Sequence, residues 1–300
     1  MKIASIVTQG LERLGDKRLD CSASDGQPAD IVVVHGARAS GKTAVLEVVL
    51  AAREQGIVGS PEAPWRPRVA PGNAAAKVQI EWALSDAELR DYPGEQRRSL
   101  EAIFDAEPNF PPDNDASLCE LLSDEREPSG RIEYFHAGRS LPRTLSAGPR
   151  RARCSTDNAK YSGLRAFLRA LVVEEPAKKA LLDDAFEALG VNVRLTRVSS
   201  DGEPLFSDGG RLRSTRELSS SEQALLLVLA TALEQRLDSA PILLDVPDLF
   251  LDVNAGRQLC ERLRVLAPRC QLLVATSSSE LAAYIGRLPR AITLRLEAVA

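Results

Sequence analysis

Glycine, lysine and threonine recur near the start of the chain at a spacing that can hold a phosphate. Residues 31–43 read IVVVHGARASGKT, and the two glycines of GARASGKT are separated by four residues. In such a loop the backbone N–H groups surround an anion, the lysine reaches its β- and γ-phosphates, and the threonine hydroxyl ligates Mg²⁺. The predicted nucleotide-binding residues are Gly36, Ala37, Arg38, Ala39, Ser40, Gly41, Lys42, Thr43 and Ala44.

A carboxylate ends a later apolar run and is the second candidate group. Residues 241–245 read PILLD, and the second Mg²⁺-binding carboxylate of a phosphate-loop protein stands at such a strand end. An acidic residue that merely caps the strand is the alternative. We therefore predict Lys42 and Asp245 as catalytic residues, and Thr43 and Asp245 as metal ligands.

A serine-rich motif precedes this strand and has two interpretations. Residues 218–223 read LSSSEQ, and the spacing of Ser219 and Glu222 is that of a helix capping box. The same helix N-terminus can instead bind an anion. Both interpretations predict the same local structure.

Strands that alternate with helices must position these groups. Short apolar runs, interleaved with helical stretches, predict an α/β fold with a parallel sheet; they occupy residues 31–34, 241–245, 271–275 and 292–296. Residues 1–7 alternate like an edge strand that pairs with residues 19–22, and residues 77–84 predict a further strand. We assign residues 1–88 and 190–300 to this core.

Residues 89–189 are predicted to form an inserted lobe that is mainly helical. Its candidate helices are residues 97–104, 160–172 and 177–189, and residues 131–135 predict one strand. The lobe carries a basic segment without acids, formed by Arg139, Arg143, Arg150, Arg151 and Arg153. Such a segment either contacts DNA or RNA phosphates or is ordinary solvated surface. Arg139 itself could approach phosphate or form a salt bridge.

Composition limits the class of protein. The 300 residues are 44% hydrophobic and 27% charged, which is typical of a globular protein. The net charge of −4 argues against a protein whose whole surface is basic and binds nucleic acid. No apolar run is long enough for membrane insertion, so we expect a cytoplasmic protein. The five cysteines are scattered without a C-x-x-C pair, and neither a disulfide framework nor a zinc site is predicted.

The order of the motifs resembles the ABC-type ATPases. In that class a phosphate loop is followed by a signature of the form L-S-x-G-E/Q, a helix and a carboxylate-ended strand, as GARASGKT, LSSSEQ and PILLD are here. The segments MKIASIV, KVQIEWALSDAEL and IEYFHAGRSLP resemble the RecF/SMC-like (AAA/OLD-like) branch. The resemblance implies an ABC-type nucleotide-binding domain with an N-terminal antiparallel β-subdomain and an inserted helical lobe.

This resemblance also implies the cofactors ATP and Mg²⁺ and a head-to-tail dimer, in which the signature of one subunit faces the γ-phosphate held by the other. It thereby implies four further candidate nucleotide-binding residues, Ser219, Ser220, Ser221 and Glu222. Gln79 is the candidate Q-loop residue, and Leu251 and Asp252 match the D-loop. The chain departs from the family at five positions, and two of them lie in the phosphate loop, where Arg38 replaces a common asparagine and Ala39 a common glycine. Val246 replaces the glutamate that polarises water, Ser277 replaces the switch histidine, and Ser221 replaces the signature glycine.

We therefore expect an ATP-dependent dimerising switch with weak intrinsic hydrolysis, in DNA maintenance, DNA repair or phage defence. Its partner would be a second copy or a catalytically complete ATPase subunit. The alternative is a degenerate structural subunit that binds a partner protein and uses nucleotide only for stability. The long stretch between Thr43 and Leu218 disfavours a transporter subunit, and LSSSEQ before PILLD disfavours a phosphate-loop kinase.

Overall fold

The computed structural model describes residues 1–56, 67–105, 112–123, 132–142, 155–235, 237, 239 and 241–297. In chain order, the strands and α-helices of this part are β1 (Lys2–Leu11), β2 (Gly15–Asp20), β3 (Ile31–Gly36), α1 (Lys42–Gly56), β4 (Ala75–Ala83), α2 (Asp86–Asp91), β5 (Arg97–Asp105), α3 (Ala116–Ser123), β6 (Glu133–Phe135), α4 (Leu164–Val173), α5 (Pro176–Ala188), β7 (Arg194–Val198), β8 (Pro204–Ser207), β9 (Leu212–Ser214), α6 (Ser220–Gln235), β10 (Pro241–Asp245), α7 (Val253–Leu266), β11 (Gln271–Thr276), α8 (Ser279–Ile285) and β12 (Ala291–Leu296).

A five-stranded parallel sheet forms the centre of the fold, as the apolar runs predicted. Its strand order is β12-β3-β11-β10-β6, and every neighbouring pair is parallel. Strands β3, β10 and β11 are buried on both faces, which explains their nearly continuous apolar sequences. Because the carboxyl ends of parallel strands share one edge, the loop after β3 and the end of β10 meet there.

The two faces of this sheet pack against different layers. Along β3, Ile31 and Val33 join the cluster that contains α6, whereas Val32 and Val34 join the cluster that contains α1. This alternation follows from the two-residue period of a strand. The helix after the phosphate loop and the helix after LSSSEQ therefore lie on opposite faces of the sheet.

An antiparallel sheet covers α1 on its outer side. Its order is β2-β1-β4-β5, so the predicted pairing of residues 1–7 with residues 19–22 is confirmed in part, by Ser5 and Ile6 opposite Asp20 and Leu19. A third, smaller sheet consists of β7, β8 and β9. Within the described ranges, no helix combines the length and the apolar character needed to cross a membrane.

The helix predicted at residues 97–104 is wrong. These residues form β5, which pairs with β4 from Ala83 opposite Arg97 to Ala75 opposite Asp105. Arg98, Leu100 and Ala102 point into the core at alternate positions, and the charged residue among them conceals the two-residue period of a strand. Because β6 also joins the parallel sheet, two segments of the predicted helical lobe belong to the core sheets.

Candidate functional site

The predicted phosphate loop connects β3 to α1 and fits closely against its neighbours. A Cβ atom added to Gly36 would lie 2.3 Å from the carbonyl oxygen of Leu296. One added to Gly41 would lie 2.9 Å from the carbonyl oxygen of Arg13, in the turn between β1 and β2. Gly41 also has a φ of 89°, which glycine adopts without strain. Packing therefore requires both glycines, and backbone conformation requires Gly41 as well.

Lys42 and the N-terminus of α1 bring positive charge to this loop. The Nζ of Lys42 donates a hydrogen bond to the carbonyl oxygen of Ala37 at 2.5 Å. Burial lowers the pKa of Lys42, while the charge of Asp245 opposes the change. Because α1 begins at Lys42, its first N–H groups lack partners within the helix and face an incoming anion.

The small and basic side chains of residues 37–40 and 44 differ in exposure. Ala37, Arg38 and Ala39 are exposed, whereas Ser40 and Ala44 are buried. Ala39 has a φ of 61°, a left-handed value that an alanine rarely adopts. The loop therefore presents its middle to solvent while its ends are packed.

Thr43 and Asp245 come together although they are 202 residues apart in the chain. The Thr43 hydroxyl donates to the two carboxylate oxygens of Asp245 at 3.1 and 3.2 Å. Asp245 is 2% exposed, and burial raises its pKa, against the hydrogen bond from Thr43 and the charges of Arg139 and Lys42. A hydroxyl beside a carboxylate fits Mg²⁺, which prefers oxygen ligands and completes its shell with phosphate and water oxygens. These residues could therefore hold the metal of Mg·ATP.

Glu47 and Tyr134 also belong to this site, and sequence analysis missed both. Burial, with a further contribution from the charge of Asp245, raises the pKa of Glu47 to about 7. Burial also raises the pKa of Tyr134, and the charges of Asp245 and Glu47 add to the effect. The Oε2 atom of Glu47 is buried and has no hydrogen-bond partner among the described residues. Its position four residues after Thr43, on the same helix face, was the available signal.

Arg139 reaches the end of β10 from the loop after β6. Its Nη1 donates to the carbonyl oxygen of Asp245 at 2.6 Å, and its Nη2 donates to that of Val246 at 2.9 Å. Among the described residues, the hydrogen bonds of this guanidinium go to backbone carbonyls. Of the two roles that the sequence left open, the approach to phosphate stays a prediction. Val246 has a φ of 48°, which is an outlier for a β-branched residue.

The LSSSEQ motif forms the predicted cap of α6. The N–H of Ser219 donates to the Glu222 carboxylate at 2.6 Å, and the N–H of Glu222 donates to Ser219 Oγ at 3.3 Å. Arg213 binds the same carboxylate through two nitrogens, at 2.9 and 3.1 Å. Burial raises the pKa of Glu222, but the hydrogen bonds from Arg213 and Ser219 hold it below its usual value. Glu222 is therefore paired, while Ser220 begins the helix and is exposed.

The serine in place of the signature glycine makes a specific contact. Ser221 Oγ donates to the carbonyl oxygen of Phe250 at 2.6 Å, which links the motif to the segment before α7. Asp252 caps α7 by accepting the N–H of Ala255 at 2.7 Å. The predicted D-loop residues therefore lie between the signature motif and α7.

The remaining predicted residues lie elsewhere, as does Asp248, a carboxylate three positions after Asp245. Asp248 accepts a hydrogen bond from the Thr276 hydroxyl at 3.2 Å, and Ser277 is exposed beyond β11. Gln79 lies within β4, where its amide donates to Ser99 Oγ at 3.2 Å, across the antiparallel sheet. Four arginines of the basic segment lie outside the described residues, so their contact with nucleic acid stays a prediction: Arg143, Arg150, Arg151 and Arg153.

The chain resembles solved structures although neither a protein-family model nor a curated protein sequence matches it. The Smc head bound to the C-winged-helix domain of ScpA is 14% identical, with a TM-score of 0.61 over 95% of this chain and 92% of that one. The Smc head domain with an extended coiled coil, bound to the C-terminal domain of ScpA and derived from Pyrococcus furiosus, is 14% identical. The match has a TM-score of 0.57 and covers 99% of this chain and 94% of that one. The SMC head domain from Thermotoga maritima is 11% identical, with a TM-score of 0.53 over 95% of this chain and 92% of that one. The chain is therefore an α/β protein with the fold of SMC head domains, the ABC-type ATPase fold.

Proposed function

We propose that the chain binds Mg·ATP at the loop between β3 and α1 and uses it to close a head-to-tail dimer. The observation that carries this proposal is the hydrogen bonding of Thr43 to both carboxylate oxygens of Asp245, beside the N-terminus of α1. Phosphate on the loop and Mg²⁺ between these oxygens would satisfy both the helix N-terminus and the buried carboxylate.

The arrangement of α1 and α6 supports a head-to-tail dimer. These helices pack on opposite faces of the parallel sheet, and the hydrogen bonds of residues 219–222 in the described part of the chain do not reach the phosphate loop. Arg213 neutralises Glu222, so the N-terminus of α6 can still attract an anion. The anion would be the γ-phosphate held by a second copy or by a related, catalytically complete subunit.

Hydrolysis would be slow because the expected water-activating groups are absent. Val246 follows Asp245, Ser277 follows β11, and the nearby carboxylate of Asp248 is hydrogen-bonded to Thr276. Loss of a general base typically costs about 10²- to 10⁴-fold in rate. Bound ATP would then persist and keep the dimer closed.

Lys42→Ala tests the proposal directly. We expect wild-type protein to bind Mg·ATP in calorimetry and to dimerise with it in light scattering, and Lys42→Ala to lose both because the phosphate charge is no longer matched. Lys178→Ala, which removes a surface lysine of α5, is the control and should behave as wild type. A wild-type protein that stays monomeric with saturating Mg·ATP would refute the dimer.

A structural subunit is the second candidate, and Val246 and Ser277 are the residues that favour it. In that case nucleotide only stabilises the fold, and the function resides in a partner-binding surface. Absence of Mg·ATP affinity in the same calorimetry would favour this candidate. ATP turnover stimulated by DNA would exclude it.

A further inference from the structure

We infer that Arg139 is a positioning residue for the metal half of the proposed Mg·ATP site, an inference that rests on the proposed function. Arg139 is 5% exposed, and its guanidinium donates hydrogen bonds to two successive backbone carbonyl oxygens at the end of β10. The first belongs to Asp245, whose side chain is the candidate metal ligand. Arg139 therefore controls where that carboxylate points without contacting the metal.

The loop that carries Arg139 holds its side chain in place. The backbone N–H of Arg139 donates to the carbonyl oxygen of His136 at 3.1 Å, and Nη1 donates to the same oxygen at 3.2 Å. This short turn follows β6, which pairs with β10 in parallel. The guanidinium is thus anchored to a neighbouring strand of the same sheet, and it transmits that position to Asp245.

The second carbonyl belongs to a strained residue. Val246 has a φ of 48°, and its N–H donates to the carbonyl oxygen of Ala275 at 2.9 Å. A β-branched residue keeps such a conformation only when its surroundings impose it. The contacts from Arg139 and Ala275 do so from two sides, and they determine the direction in which the chain leaves Asp245.

The planar fork of arginine is essential to this role. Two parallel N–H donors reach two carbonyl oxygens at once, whereas the ammonium of lysine is a single point charge on a flexible stem. Lysine at position 139 would keep the positive charge beside Asp245 but could not donate hydrogen bonds to both carbonyl oxygens in the same geometry. Arg139→Lys therefore separates positioning from electrostatics, and Arg139→Gln removes both.

The matched control is Arg98, a second arginine that is 5% exposed. It also donates to two backbone carbonyls, of Tyr92 at 2.6 Å and of Glu95 at 3.0 Å, but these lie between α2 and β5. Arg98→Lys should reproduce the general cost of replacing a buried arginine. It should leave the end of β10 unchanged.

The experiment is ATP binding by calorimetry on the full chain, with EDTA and with a series of Mg²⁺ concentrations. We expect Arg139→Lys to bind ATP in EDTA as wild type does, and to lose about 10- to 100-fold of the Mg²⁺-dependent gain in affinity, as is typical when a residue that supports a metal ligand is changed. Arg139→Gln should lose as much, and Arg98→Lys should keep the full gain.

Each other outcome has a definite meaning. An undiminished Mg²⁺ effect in Arg139→Lys, or an equal loss in Arg98→Lys, would overturn the inference. If wild type itself does not bind Mg·ATP, the proposed function fails instead. If Arg139→Lys is unstable, the double variant with Val246→Gly is used, because glycine adopts the left-handed conformation without support. Its Mg²⁺ effect should be reduced relative to Val246→Gly alone, and an equal effect would refute the positioning role.

Discussion

Two carboxylates, Asp245 and Glu47, interact electrostatically beneath the phosphate loop. Burial raises the pKa of both, but Asp245 has compensating partners in Thr43, Arg139 and Lys42. The pKa of Glu47 rises to about 7 because burial and the charge of Asp245 outweigh the charge of Arg13. A cation bound at Thr43 and Asp245 would favour the ionised form of both acids. Binding of the proposed metal would therefore be linked to proton release at this site.

Glu47→Gln should change how stability depends on pH. The pKa of Glu47 is about 7 in the folded chain and near its usual value of 4.5 when unfolded, so the folded state favours the neutral acid. The free energy of unfolding should therefore fall as pH rises from about 5 to 8.5 without Mg²⁺, by only about 1 kcal/mol because solvent screens this half-buried group. Urea unfolding should show a smaller fall in Glu47→Gln.

Glu120→Gln is the control, because this glutamate is exposed on α3. It should keep the wild-type dependence on pH. An unchanged slope in Glu47→Gln would show that Glu47 is not held neutral by the fold.

At the scale of elements, backbone strain is concentrated in the two loops that form the candidate site. Ala39 lies in the phosphate loop, and Val246 and Phe250 lie between β10 and α7; all three have positive φ. Such conformations cost about 1–3 kcal/mol each and persist when neighbouring contacts impose them. Here the contacts include hydrogen bonds to the carbonyl oxygens of Val246 and Phe250, from Arg139 and Ser221.

Gly41→Ala should be more destabilising than a substitution of glycine with the same backbone angle elsewhere. Gly72 also has a φ of 89°, but its added Cβ atom would meet nothing within 4 Å, whereas that of Gly41 would lie 2.9 Å from the carbonyl oxygen of Arg13. Gly72→Ala therefore measures the conformational cost alone, about 1–2 kcal/mol. Gly41→Ala should cost at least about 1 kcal/mol more in urea unfolding, since backbone must move. Equal losses in the free energy of unfolding would show that the turn between β1 and β2 moves without cost to make room for the added Cβ atom.

At the scale of the whole molecule, the parallel sheet separates the two proposed half-sites. The phosphate loop begins the helix on one face, and residues 219–222 begin the helix on the other. One chain presents both halves to its surroundings, and two chains arranged head to tail would complete two sites. This arrangement makes the roles of the two copies separable by mutation.

Mixing two inactive variants should restore dimerisation. Lys42→Ala removes the lysine of the phosphate loop, so that its own loop no longer binds phosphate. Ser221→Arg places a bulky side chain where the signature backbone would approach the phosphate held by the other copy. Each variant alone should stay monomeric with Mg·ATP in light scattering. An equimolar mixture should form a weaker dimer with one intact site, detectable by energy transfer between labelled chains. A mixture that remains monomeric while wild type dimerises would exclude head-to-tail pairing.

Local patterns along the chain were enough to predict the fold class and the main candidate residues. The phosphate loop, the strand that ends in Asp245 and the cap of α6 depend on residues close in sequence, so period and spacing reveal them. The same reasoning failed at β5, because Arg98 occupies an inward position that an apolar residue usually fills.

Only the tertiary structure decided how these parts act on one another. The hydrogen bond from Arg139 to the carbonyl oxygen of Asp245 joins residues 106 positions apart, and the pKa of Glu47 depends on burial against other elements. The positive φ of Val246 likewise depends on contacts from the loop after β6 and from β11. Sequence by itself predicted which groups this protein would bring to a phosphate. Long-range packing determined their charge, strain and orientation, because those properties arise from neighbours that are distant in the chain.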